Sequence, residues 1–117
     1  MSPTIYHNPR CSKSRETLAL LEQHGQQATV VLYLDTPPDA ATLNTLLAQL
    51  GFADPRQLMR TKEDQYLDLG LADPALSRDA LIGAMVAHPR LIERPIVVVN
   101  GKAALGRPPE AVLALLD

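Results

Sequence analysis

The sequence predicts an α/β fold in which a helical insert divides a mixed β-sheet into two halves. Short β-branched and apolar runs lie near both ends of the chain, and leucines at helical spacing fill the middle. An Asn-Gly pair between two apolar runs marks a hairpin near the end. With 117 residues, of which 46% are hydrophobic, the chain can bury one core. We therefore expect a single domain over residues 1–117.

The first segment predicts a strand, a helix and a second strand. Thr4 to Tyr6 form a short apolar strand, and residues 12–24 form a helix that stops at Gly25. Residues 28–34 are a continuous β-branched and apolar run, which indicates a buried strand. A strand that returns to its sheet through one helix runs parallel to the first, so this segment is a βαβ unit.

Residues 36–90 predict a run of short helices with no strand. Thr36 is expected to cap the first of them, with Pro37 in its first turn and Asp39 bonding back to the backbone. Asp54 opens a short helical turn, and Ser77 caps a further helix that ends at His88-Pro89. This segment is the predicted insert.

The final segment returns to sheet. Residues 96–99 and 102–105 are apolar runs joined by Asn100-Gly101, the pair favoured in a two-residue hairpin turn. Arg107 and the two prolines after it open a last helix. The full order is βαβ, helical insert, ββα, which is the order of a thioredoxin-like fold. Its core comprises residues 1–35 and 91–117.

Cys11 is the strongest candidate for a reactive group because it is the only cysteine and lies where the first strand meets the first helix. The positive end of the helix dipole and its unpaired N–H groups favour a thiolate there. Arg10, Lys13 and Arg15 add three nearby cations. We therefore expect a lowered pKa and a nucleophilic thiol. Because it cannot close an internal disulfide, any redox cycle must use an external thiol.

Three arginines are candidates for holding an anion: Arg60, Arg94 and Arg107. Arg94 precedes Pro95 and an apolar strand, a place where thioredoxin-like folds commonly have a cis proline beside the cysteine. That geometry would bring Arg94 close to Cys11. Because a guanidinium donates two parallel hydrogen bonds to an oxyanion, a thiolate with several arginines suits a phosphate-like electrophile.

Each of these residues, taken alone, also has an ordinary structural explanation, which weakens the case for a functional role. A lone cysteine is more often an inert core residue, and surface arginines are usually solvated or paired. The sequence shows no metal-ligand spacing and no glycine-rich phosphate loop. A tyrosine-phosphatase loop would need arginine where Thr17 stands.

Charge and segment lengths limit the partners and the location. The net charge of −2 argues against bulk nucleic-acid binding. The apolar runs are too short to cross a bilayer, and the start of the chain does not have the pattern of a signal peptide. With one unpaired cysteine, we expect a cytoplasmic protein. The small core and the lack of an obvious apolar patch favour a monomer.

The whole chain resembles the glutaredoxin-linked arsenate reductases, and in particular a short bacterial subgroup called arsenate reductase-like. The motifs that carry this resemblance are Ile5-Tyr6-His7-Asn8-Pro9 before Cys11, Ser14-Arg15, Leu32-Tyr33-Leu34, Leu69-Gly70-Leu71-Ala72, His88-Pro89, Glu93-Arg94-Pro95-Ile96 and Gly106-Arg107-Pro108. They occur in the family's order, each at its own spacing.

The resemblance implies a complete reaction. Cys11 matches the catalytic cysteine, and Arg60, Arg94 and Arg107 match the arginines that hold arsenate and its products. His7 matches a histidine near the cysteine that influences its activity, and Ser14 matches a residue that supports the thiolate. The family's thiolate attacks arsenate, glutathione adds as co-substrate, and glutaredoxin resolves the adduct so that arsenite leaves. No bound cofactor is implied.

Two alternatives remain open. Arg10, Ser12 and Lys13 stand where arsenate reductases usually carry small residues, which allows a glutathione-dependent thiol oxidoreductase acting on another substrate. The second alternative is a non-enzymatic regulator that binds RNA polymerase. Related regulators carry a Cys-x-x-Cys switch, whereas this chain has Ser14 at the second position.

Overall fold

The computed structural model describes residues 2–116, and the chain divides into two compact units. The sheet unit comprises Met1–Thr36 and Arg94–Asp117, and the helical unit comprises Pro37–Glu93. The helical insert was predicted at 36–90.

The sheet unit contains four strands in the order β2-β1-β3-β4. They are β1 Thr4–His7, β2 Thr29–Leu32, β3 Ile96–Val99 and β4 Lys102–Leu105. β1 pairs parallel with β2 and antiparallel with β3, and β3 pairs antiparallel with β4. The sheet is mixed: a βαβ unit precedes the helical unit in the chain, and a ββα unit follows it. This arrangement confirms the predicted thioredoxin-like α/β class.

Helix α1, Ser12–Gln23, covers one face of the sheet. It begins after Cys11 and ends at His24, and Gly25 follows with a left-handed φ of 73°. A core of Ile5, Leu21, Val97, Val99 and Val112 joins the helix to the strands. Burial of this apolar set is the main force that fixes α1 over the sheet, and so fixes the residue at the start of the helix.

The second strand is not buried, and this prediction was wrong. Val30 and Leu32 are 42% and 40% exposed. β2 lies at the edge of the sheet, where only β1 flanks it. A continuous apolar run does not reveal whether a strand is central or at an edge, because that depends on the order of all the strands. Within the run, Tyr33 is the buried residue, at 2% exposure.

The hairpin follows the prediction residue for residue. Asn100 and Gly101 both have positive φ values, 52° and 80°, as the two-residue turn requires. The last predicted helix is a 3₁₀ helix over Pro109–Leu116, and its Val112 lies in the core.

The helical unit contains α2 Ala40–Leu50, α3 Asp64–Asp68 and α4 Arg78–Ala87, with 3₁₀ turns at Pro55–Leu58 and Pro89–Leu91. The predicted cap of α2 was wrong. Asp39 is the N-cap, and its carboxylate accepts a hydrogen bond of 2.8 Å from the Thr42 N–H. The helix begins after Pro37-Pro38 because a proline disfavours helical geometry in the residue that precedes it.

The other helix ends of this unit agree with the sequence, with one omission. Ser77 caps α4 through a hydrogen bond from the Ala80 N–H, and the helix ends at His88. α3 was missed because it has five residues and its N-cap, Glu63, makes no side-chain capping bond. Among residues 2–116, no helix has the length and apolar character needed to cross a membrane.

Candidate active site around Cys11

Cys11 occupies the N-cap of α1, at the end of the turn that follows β1. Its backbone N–H donates to the carbonyl of Asn8 at 3.0 Å, which closes the turn. The residue is 8% exposed and has extended backbone angles, φ −97° and ψ 123°. The thiol therefore lies at the helix N-terminus, as the sequence predicted.

The surroundings of Cys11 lower the pKa of its thiol. Burial acts in the opposite direction and is the largest single influence. It is outweighed by a hydrogen bond from the Ser14 N–H, by the charge and hydrogen bond of Arg94, and by the Lys13 N–H. The net result is a pKa below the usual value, so a larger fraction of the thiol is ionised at neutral pH.

Two of the three predicted arginines meet at this thiol. The Arg107 Nη2 lies 3.8 Å from the Cys11 Sγ, and the Arg107 Nε donates to the Arg94 carbonyl at 2.9 Å. The Arg94–Pro95 bond is cis, as predicted, and Arg107–Pro108 is cis as well. Two guanidinium groups beside a thiolate form a positively charged site that suits an oxyanion.

Arg94 retains an unused donor. Within residues 2–116, its Nε is buried and has no hydrogen-bond partner. A buried charged donor without a partner costs free energy that a bound acceptor would recover. The geometry thus provides a donor for an anion beside the nucleophile.

The turn that carries Cys11 is held by hydrogen bonds of four neighbouring residues: His7, Asn8, Ser14 and Arg15. The His7 Nδ1 and the Ser14 Oγ lie 2.6 Å apart, and both residues are buried. The Ser14 hydroxyl also accepts a hydrogen bond from the Asn8 N–H, and the Arg15 Nη1 donates to the Pro9 carbonyl. Burial, followed by the charge of Arg15, lowers the pKa of His7 and favours the neutral ring. These contacts fix the turn that carries Cys11.

Gly106 is a structural residue of the site for which no role was predicted from the sequence. It is buried, and its N–H donates to the Pro95 carbonyl at 3.0 Å. A Cβ at this position would lie 2.7 Å from the Pro95 Cγ and would also overlap Thr17 of α1. The only hint in the sequence is a glycine directly before Arg107. It lets the chain pass close to Pro95.

Arg60 belongs to the helical unit and has a different environment. Its Nη1 forms an ion pair with the Glu63 Oε2 at 3.1 Å, and the Glu63 side chain is 15% exposed. Arg90 contacts the other oxygen of the same carboxylate at 3.5 Å. Glu63 was not predicted as a partner, although a spacing of three residues from Arg60 is a usual signal for a pair.

Over the part of the chain that is described, no group of three or more His, Cys, Asp or Glu residues could hold a metal ion. The lowered pKa of Cys11 and the two arginines beside it equip this site for nucleophilic attack by a thiolate on an anion.

Comparison with known proteins gives concordant results. The profile of the ArsC family matches residues 6–115. YfgD of Escherichia coli K12 is 64% identical over 112 residues, which cover 96% of this chain and 94% of that protein. An arsenate reductase of Neisseria meningitidis serogroup A is 56% identical over 112 residues, 96% of each chain. The solved structure of an arsenate reductase from Vibrio cholerae superposes with a TM-score of 0.97 at 57% identity, over 98% of both chains.

Proposed function

Because the chain belongs to the ArsC family, we propose that it reduces arsenate to arsenite with Cys11 as the nucleophile. The observation that carries the proposal is the buried thiol of lowered pKa at the start of α1, with Arg107 3.8 Å from its sulfur. Relatives in Neisseria meningitidis and Vibrio cholerae that span nearly the whole chain bear the name arsenate reductase.

In this proposal the arginines act on the negative charge of the substrate. Arsenate and a thiolate are both anions, and two guanidinium groups reduce the repulsion between them. The thiolate attacks arsenic, an As–S bond forms and an oxygen of arsenate leaves as water after protonation. The unpaired Nε of Arg94 offers a hydrogen bond to an oxygen of the bound anion. Arg60 is the third arginine of the clamp by its match to the family.

The two electrons that convert arsenate to arsenite must come from outside thiols, because the chain has one cysteine. We propose glutathione as the first reductant and glutaredoxin as the thiol that resolves the glutathione adduct. A monomer in the reducing cytoplasm, where glutathione is abundant, fits this cycle.

A second candidate is a glutathione-dependent thiol oxidoreductase with another substrate. Arg10, Ser12 and Lys13 favour it: all three are exposed next to the cysteine in the chain, and Arg10 and Lys13 add positive charge there. A third candidate, a polymerase-binding regulator with a redox switch, has less support. Ser14 is fully buried against His7, at the position where such a switch would need a second thiol.

The experiment that tests the proposal is arsenate reduction coupled to glutathione, glutaredoxin and NADPH oxidation. We expect turnover in the wild type and a fall to the uncatalysed background in Cys11→Ser, because serine at this place is not ionised. Wild-type turnover in Cys11→Ser would overturn the assigned nucleophile. No arsenate turnover in the wild type, with a Cys11 that reacts rapidly with glutathione disulfide, would favour the second candidate.

A further inference from the structure

A cleft of about 310 Å³ opens beside the cysteine turn. Residues 7–10, which follow β1, form one wall, and Leu32, Leu34 and Asp35, at and after the end of β2, form the other. We call it the loop cleft. β1 and β2 are parallel, so both walls lie at the carboxyl ends of adjacent strands. The two loops therefore leave the same edge of the sheet and can contact one bound molecule.

The lining of the loop cleft combines two opposite charges with apolar surface. Arg10 and Asp35 are both exposed, and neither side chain makes a hydrogen bond or ion pair within residues 2–116. Leu32 and Leu34 are 40% and 38% exposed, high values for large apolar side chains. A matching ligand carries a carboxylate, an ammonium group and short aliphatic segments between them.

The loop cleft lies close enough to Cys11 for a ligand bound there to reach the sulfur. Arg10 directly precedes Cys11, so their Cα atoms are about 3.8 Å apart. The Cys11 sulfur does not line the cleft and lies near Arg107. A tripeptide extends roughly 10 Å, so a ligand of that length held in the cleft can bring a reactive group to the sulfur. The volume is at the small end of ligand sites, which suits a short peptide.

We propose that the loop cleft is the glutathione subsite. Arg10 pairs with a carboxylate of glutathione, Asp35 pairs with its ammonium group, and Leu32 and Leu34 cover its methylene groups. This rests on the proposed function insofar as that function requires an external thiol, and it adds the residues that select glutathione over other thiols. It also gives Arg10 a role separate from the arginines that face the oxyanion.

The test uses a reaction that does not involve arsenate. The Cys11 thiolate attacks one sulfur of glutathione disulfide, the disulfide bond breaks, a Cys11–glutathione disulfide forms and one glutathione thiolate leaves. Mass spectrometry of the full-length chain gives the rate. The same measurement with bis(2-hydroxyethyl) disulfide, which has no charged groups, reports the reactivity of Cys11 itself.

We expect Arg10→Ala and Asp35→Asn each to slow the reaction with glutathione disulfide about threefold to tenfold, the range for partly exposed charge pairs. The rate with the uncharged disulfide should stay within twofold. Lys102→Ala and Glu22→Ala, which change exposed charges on β4 and α1, should leave both rates unchanged. Equal changes with both disulfides, no change with either, or no reaction of Cys11 with glutathione disulfide would each overturn the subsite.

The outcome is independent of the arsenate assay. A selective loss with glutathione disulfide in a protein that does not reduce arsenate would support the subsite and contradict the proposed substrate. Arsenate turnover with an unchanged KM for glutathione in Arg10→Ala and Asp35→Asn would support the function and contradict the subsite.

Discussion

The two units hold their candidate arginines in opposite electrostatic settings. In the sheet unit, Arg107 lies 3.8 Å from the Cys11 sulfur, and Arg94 helps to lower the pKa of that thiol. In the helical unit, Arg60 is paired with Glu63 at 3.1 Å. The same side chain thus acts on a nucleophile in one unit and is neutralised in the other. At Arg60, the Glu63 carboxylate reduces the charge that is available to a substrate.

The strongest way to break this comparison is to remove the arginines of the sheet unit. We expect Arg94→Ala or Arg107→Ala to lower kcat/KM for arsenate by about 100-fold or more, the usual effect of losing a donor that stabilises developing charge. The coupled assay measures it, with Lys102→Ala as an exposed cation control in the same unit. Activity within threefold of the wild type in both variants would contradict the assigned clamp.

Gly106 tests whether the packing under those arginines matters as much as their charge. We expect Gly106→Ala to lower the free energy of unfolding by about 1–3 kcal/mol, because the added methyl group meets Pro95 and Thr17. Urea denaturation gives that value, and the coupled assay should show a loss of activity in the folded variant. Gly83→Ala, where an added Cβ meets nothing within 4 Å, is the matched control. Equal stability of the two variants would show that Gly106 is not a close contact.

Arg60 and Glu63 test the comparison from the helical unit. We expect Arg60→Ala to lower kcat/KM by about tenfold at most, because an ion pair already holds part of its charge. Glu63→Gln should lower the KM for arsenate by about threefold, since it releases that charge. Lys62→Ala, an exposed neighbour, is the control. A loss in Arg60→Ala as large as in Arg94→Ala would erase the difference between the units.

The parts of the structure that depend on a few neighbouring residues could be predicted from the sequence. Cys11 could be placed at a helix start because an apolar strand precedes it and a helical pattern follows. The Asn100-Gly101 turn was equally clear, since few residue pairs adopt two successive positive φ values. Arg94 could be placed beside the cysteine only through the strand order of the predicted fold.

The features that the sequence did not reveal depend on distant parts of the chain. Leu32 is exposed because β2 is an edge strand, which residues 28–34 do not encode by themselves. The close approach of Gly106 to Thr17 and Pro95 brings together three separate segments. The pairing of Arg60 with Glu63 could have been suspected from spacing, but not the burial that strengthens it.

The most direct test of the activated thiol is the pH dependence of Cys11 alkylation by iodoacetamide, with and without arsenate. Because the thiolate is the reacting form, a lowered pKa moves the midpoint of the rate curve to a pH below that of an unperturbed cysteine thiol. We expect that lower midpoint in the wild type, a higher midpoint in Arg94→Ala, and slower alkylation when arsenate is bound. A wild-type midpoint at or above that of an unperturbed cysteine thiol, unchanged in Arg94→Ala and insensitive to arsenate, would contradict the account.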